Sequence, residues 1–186
     1  DGTLMRFFWA MKPHMTKTKR YREIAKTEIT LELKKKRGNP RNSEGSFIAL
    51  KDGRILFAYT KFVGKSGGDH GRAIICTRES HDDGRTWSKR DRTLLEGEGD
   101  CNVMSVSLLR LQDGRIAFFY ARKNSFLDCR PWMRTSSDEG KTWSKAICCV
   151  PAPGYFVLNN DRVVQLKNGR IIVPVAYHRA KLNTIE

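Results

Sequence analysis

Apolar and polar positions in this chain are grouped in short runs with turn residues between them, and the runs recur. Glu28-Ile29-Thr30-Leu31-Glu32-Leu33 alternates polar and apolar residues at a period of two, the pattern of a half-buried strand. Ser46 to Tyr59, Ser107 to Tyr120 and Arg162 to Val175 share a different plan. In each, an apolar run leads into Asp52-Gly53, Asp113-Gly114 or Asn168-Gly169, then Arg-Ile, then a second apolar run. Asp-Gly and Asn-Gly accept the positive φ of a tight turn, so each unit is predicted to be a β-hairpin, strand A to strand B. The three turn glycines are 61 and 55 residues apart.

A second motif alternates with the first. Ser80-His81-Asp82-Asp83-Gly84-Arg85-Thr86-Trp87 is repeated as Ser136-Ser137-Asp138-Glu139-Gly140-Lys141-Thr142-Trp143, 56 residues later. Both copies fit Ser-x-Asp-x-Gly-x-Thr-Trp and continue with Ser-Lys. A short Asp side chain can bond backbone N–H groups across a turn, the glycine takes the backbone conformation closed to most residues, and the Trp covers the hairpin. Each copy is preceded by a strand-like run, Ala73 to Arg78 or Trp132 to Thr135, and is read as closing strand C onto strand D. Four antiparallel strands in a period of about 50–60 residues match a propeller blade. The expectation is therefore all-β. Residues 28–186 form a partial propeller that continues past Glu186, and residues 1–27 are a basic N-terminal segment with no assigned element.

Charge adds less. The chain has 35 Lys+Arg against 20 Asp+Glu, a formal net charge of +15, and residues 1–41 hold 12 and 4 of these. A basic surface can attract nucleic acid, but here that reading has charge alone behind it and no nucleic-acid partner is expected. The five cysteines form no Cys-x-x-Cys pair and stand near no histidine cluster, so neither a zinc site nor any other cofactor is expected. No apolar run reaches membrane-spanning length, and no signal peptide is evident, which leaves localisation open.

Up-and-down strand order puts the A–B turns and the repeated boxes on one face, and the D–A and B–C connections on the other. The second set is longer and more varied, and variable loops on a rigid scaffold usually carry function. That rim offers Arg41, Glu44, Asp69, Arg72, Asn102, Asp128, Arg130, Tyr155, Asn159, Asn160, Asp161, Arg162 and His178. Such a set suits a polar, anionic ligand, because arginine forks bind carboxylates and carboxylic acids donate protons.

The two boxes resemble the Asp boxes, or BNR repeats, of the sialidase (neuraminidase) superfamily, and with the three hairpins the likeness covers about residues 44–178. It implies a six-bladed β-propeller of the sialidase type, present here as a fragment of about three blades. It also implies an arginine triad for the sugar carboxylate, a Tyr nucleophile assisted by Glu, and an Asp acid/base, a scheme outside the usual two-carboxylate pattern. The family's acid/base Asp lies in the first B–C loop just before strand C, where this chain has Asp69 in Gly67-Gly68-Asp69-His70-Gly71-Arg72. The family's first arginine falls at Ser43, two residues from Arg41. The Tyr–Glu pair belongs to later blades. The resemblance thus implies an exo-glycosidase acting on a terminal acidic sugar, with Asp69 as proton donor and Arg41, Arg130 and Arg162 for the carboxylate. Asn159, Asn160 and Asp161 would meet hydroxyls. A carbohydrate-binding propeller without chemistry is the alternative.

Overall fold

The computed structural model describes residues 6–9 and 28–179. The basic segment expected over 1–27 lies outside them except for one strand, and so does the stretch that leads to Glu186. The strands are β1 (Arg6–Trp9), β2 (Glu28–Glu32), β3 (Asn42–Ala49), β4 (Ile55–Phe62), β5 (Ala73–Ser80), β6 (Arg92–Leu95), β7 (Asn102–Arg110), β8 (Ile116–Lys123), β9 (Cys129–Ser136), β10 (Ile147–Cys148), β11 (Tyr155–Val157), β12 (Val164–Gln165), β13 (Ile171–Ile172) and β14 (Ala176–His178). No helix occurs among the described residues.

Two four-stranded antiparallel units stand out, β3-β4-β5-β6 and β7-β8-β9-β10, and both follow the predicted A-B-C-D order. The third unit is narrower. As a sheet it is the two-stranded hairpin β12–β13 alone, whereas β11 and β14 pair with each other and join the sheet of β7–β10, β11 bridging in parallel to β9 through Tyr155 and Cys129. Arg6–Trp9, where no period was evident, pairs with Glu28–Glu32, the run that alternates most cleanly.

β4 and β8 do not alternate in hydropathy, because both of their faces are covered. Leu56 and Ala58 of β4 meet Val106, Leu108, Phe118 and Tyr120 of the second sheet in one shared core. The opposite face of β4, Phe57 and Tyr59, packs with Cys76, Leu33 and Leu31, beside β2. On β8 the face away from the first sheet, Ala117 and Phe119, packs with Leu158, Val163 and Ile171 of the third unit. Sheets stacked in this way bury apolar area on both sides of a central strand.

The repeated boxes form the same turn twice. Asp82 Oδ1 accepts from Thr86 N (2.8 Å) and Oδ2 from Thr86 Oγ1 (2.7 Å), and Gly84 N donates to Ser80 Oγ at 2.8 Å. Asp138 does the same with Thr142 at 2.9 and 2.6 Å, and Gly140 N donates to Ser136 Oγ at 2.8 Å. Asp83 and Glu139, as well as the glycines after them, take positive φ. Trp87 packs edge-on against Phe57 and Trp143 against Phe118.

Hydrogen bonds from Thr86 and Thr142 hold the two Asp carboxyls down at about 2. A folded pKa below the unfolded one stabilises the fold above the unfolded value and loses that contribution as pH falls toward 2. Asp138→Asn is therefore expected to lower the melting temperature at pH 7, with the deficit shrinking as pH approaches 2. Melting curves of both proteins across that range check it.

Candidate active site

The loop between β4 and β5 is compact. Val63 N donates to Arg72 O at 2.8 Å and Gly71 N to Gly68 O at 2.7 Å. A Cβ on Gly71 would stand 2.7 Å from the Ser66 carbonyl oxygen, so this position accepts only glycine. The second sheet grips the same loop. Asn102 Nδ2 donates to Asp69 O (2.9 Å) and Gly71 O (2.7 Å), and Lys123 Nζ donates to Asp69 O at 2.8 Å. With its backbone pinned by two residues of the next unit, Asp69 projects a side chain that is 62 % exposed.

The Asp69 carboxylate is met by Arg41, whose Nη1 donates to Oδ1 at 2.5 Å and also to Gly67 O at 3.3 Å. Nη2 reaches Glu44 Oε1 at a looser 3.5 Å, and the guanidinium lies 4.6 Å from the centre of the Phe62 ring. One arginine thus faces two carboxylates, tightly on one side and loosely on the other. Glu44 Oε2 is buried and has no hydrogen-bond partner.

The two carboxyls are driven apart. The hydrogen bond from Arg41 holds Asp69 below its ordinary value against the opposing effect of burial. Burial pushes Glu44 up, and Asp69 adds to this, although Arg41, a backbone N–H of Ser105 and Lys123 act the other way. Lys123 is 3 % exposed and places its ammonium 5.4 Å from the Tyr155 ring centre. Tyr155 in turn lies 5.6 Å from the His178 ring. Arg41, Glu44, Asp69, Asn102, Tyr155 and His178 are therefore gathered around Lys123 and the Asp69 loop.

Other candidates stand differently. Arg72, Asp100 and Asn102 line a neighbouring cleft of about 330 Å³ with Glu98. Arg130 spends its fork on Asp128, with Nε to Oδ1 at 2.8 Å and Nη2 to Oδ2 at 3.2 Å, and Asn124 also donates to Asp128. Asp161 Oδ1 accepts from Ser46 Oγ at 2.8 Å, and Asn160 Nδ2 donates to Gly45 O at 3.3 Å, so both tie the third unit to the first inner strand. Asn159 and Arg162 are exposed, with Arg162 anchored through its backbone N–H to Ser107 Oγ.

Lys123, on the B–C side of the rim, is left out of the expected binding set. Arg41 precedes Ser46 by five residues and Asn102 precedes Ser107 by five, and the serines follow a one-residue bulge in both inner strands. Arg41 and Asn102 are thus equivalent, as are Glu44 and Ser105, both with positive φ. Lys123, paired with Asn102, could have been found by carrying that register across β8.

No family model matches the chain, and no curated protein matches it. Solved structures do. The NanB sialidase of Streptococcus pneumoniae aligns with a TM-score of 0.59 at 11 % identity, over 80 % of this chain and 43 % of that one. The GH93 α-L-arabinofuranosidase of Fusarium graminearum, solved with arabinobiose, gives 0.56 at 16 % identity over 81 % and 45 %. A protein of unknown function from Dyadobacter fermentans gives 0.58 at 19 % over 76 % and 48 %. The chain thus spans less than half the length of these structures. The likeness is one of fold: this is an all-β chain whose neighbours include β-propeller glycosidases.

Proposed function

We propose that the chain is part of a sialidase-like exo-glycosidase that hydrolyses a terminal, acidic sugar of the sialic-acid type from glycans. The fragment corresponds in this reading to about three blades of a six-bladed propeller, residues 28–186. The observation that carries it is the Arg41–Asp69 pair at the rim, a fixed guanidinium beside a carboxyl in the loop where the resemblance puts the acid/base residue. Arg41 takes the sugar carboxylate, Asp69 is the acid/base group, and Asn102 and Lys123 fix the loop that bears it. In hydrolysis the bond between the anomeric carbon and the glycosidic oxygen breaks. The oxygen gains a proton, and water ends as hydroxyl on the carbon.

In a preparation that contains the whole protein, Asp69→Asn is expected to lower turnover of fluorogenic sialosides at least about 100-fold, the usual scale of acid/base assistance. Undiminished turnover in that variant would overturn the assignment.

The alternative, a carbohydrate-binding propeller without chemistry, is favoured by one feature: Arg41 holds Asp69 ionised, the form that cannot donate a proton. Glycan binding without any product release would select it.

A further inference from the structure

The turn between β8 and β9 holds two large apolar residues out on a polar rim. Phe126 is 49 % exposed and Leu127 45 %. The turn that presents them is fixed. Asn124 N and Ser125 N donate to Asp128 O at 2.8 and 3.2 Å, and Ser125 Oγ accepts from Leu127 N and Asp128 N at 3.0 and 3.1 Å. Asp128 and Arg130, which spend their charges on each other, brace its end, where Asn124 Nδ2 also donates to Asp128 Oδ2 at 2.7 Å. The Phe126 ring lies against the imidazole of His70, with centres 3.7 Å apart and planes 23° from parallel. His70 is the residue after Asp69, and its Nε2 is buried without a hydrogen-bond partner. The stack thus joins an apolar turn of the second unit to the loop that bears Asp69. Covering His70 accounts for one face of the Phe126 ring and not for the exposed Leu127 beside it. Scattered single apolar residues are ordinary on a surface, whereas adjoining ones held on a braced turn suit a ligand.

We infer that His70, Phe126 and Leu127 form the subsite for the leaving group, and that this group presents a flat apolar face, the C–H face of a sugar ring or an aryl ring. The inference rests on the glycosidase reading, with Asp69 as the proton donor. The glycosidic oxygen must then come within about 3 Å of the Asp69 carboxyl. Arg41 commits one side of that carboxyl to the carboxylate of the terminal sugar. The group on the oxygen is left the side on which His70 and Phe126 stand. When the bond from the anomeric carbon breaks, the oxygen keeps the electron pair, takes the proton and departs with this group as an alcohol. An aromatic face and a leucine offer contact area without a pattern of donors and acceptors, so the subsite selects a ring rather than one particular sugar.

The test uses the whole protein and three substrates that differ only in the leaving group: a sialyl-galactose disaccharide, an aryl sialoside, and methyl sialoside, which has no ring to place. Each kcat/KM of Phe126→Ala is divided by the parent's value for the same substrate, so that the differing reactivity of the leaving groups cancels. The loss is expected to be about tenfold greater for the disaccharide and the aryl sialoside than for methyl sialoside, the scale of one aromatic contact. An excess loss confined to the disaccharide puts a sugar ring in the subsite, and one confined to the aryl sialoside puts an aryl ring there. Either supports the inference. Losses equal across the three substrates, or no loss with any of them, overturn it.

Two further variants separate loss of the apolar face from damage to the turn. Phe126→Tyr keeps the ring and should restore most of the preference for ring-bearing leaving groups; a tyrosine variant as poor as alanine counts against the subsite. Leu127→Ala leaves the His70 stack in place and should show the same order of losses at smaller size, and equal losses there count against the subsite too. If the parent cleaves none of the three substrates, the glycosidase reading fails and takes the leaving-group assignment with it. Cleavage with equal losses removes the subsite alone.

Discussion

Phe118→Ala will destabilise the fold by about 3–5 kcal/mol, the usual cost of removing a fully buried aromatic ring. Phe118 is 1 % exposed and stands where the first two sheets meet. Its ring stacks on Tyr120 at 4.9 Å and receives the edge of Trp143 at 5.4 Å. Deleting it opens a cavity in the shared core and also takes away the surface on which the second box's Trp rests. Against a total stability of about 5–15 kcal/mol for an ordinary domain, that is enough to unfold a large share of molecules. Urea denaturation measures it, and a loss under about 1 kcal/mol would mean that the sheets are not held by this contact. Phe47→Ala is the control. Phe47 is 59 % exposed, and its loss should change stability by no more than about 0.5 kcal/mol.

The second large effect is expected at Arg41. Arg41→Met removes the guanidinium from Asp69, Glu44 and Gly67 together, while its stem can still lie over Phe62. Truncating one member of a hydrogen-bonded charge pair at a binding surface costs about 2–5 kcal/mol. Affinity for an anionic sugar should therefore fall by about 30-fold to several thousand-fold. Arg41→Lys should recover only part of this, because an ammonium keeps the charge but cannot face two carboxylates as a fork does. Calorimetry with sialic acid reads both. Equal affinity in Arg41→Met and the parent would remove Arg41 from the site.

The hairpins and boxes were legible because their signals are local. Asp-Gly with Arg-Ile after it, or Ser-x-Asp-x-Gly-x-Thr-Trp, dictates a turn wherever it stands, and the bonds from Thr86 and Thr142 to Asp82 and Asp138 are the ones such spacing permits. The two faces followed from strand order. The site was legible only as an inventory. Asp69 and Arg41 were named from loop position, but their contact is 28 residues apart in sequence and depends on how the loop folds back. Lys123 looked like any rim lysine until β8 brought it under the Asp69 carbonyl. Asp128 and Arg130 show the converse, since two residues that suit a ligand equally suit each other.

The bulge in the inner strands has a consequence for how one strand serves two environments. Two residues of β3, Glu44 and Gly45, stand where β4 has one, Tyr59, and β7 repeats this with Ser105 and Val106 opposite Tyr120 of β8. Because side chains alternate with a period of two, one extra residue reverses which of them point inward from there on. Below the reversal Ser46 and Ser107 are buried at the packed layer, and above it Arg41 and Asn102 reach the loop. The bulge acts as a phase shifter between a sequence written for packing and one written for the rim. Deleting Gly45 would therefore put the rim half of β3 out of phase with its packed half, turning Arg41 away from Asp69 while leaving the hairpin turn at Gly53 untouched.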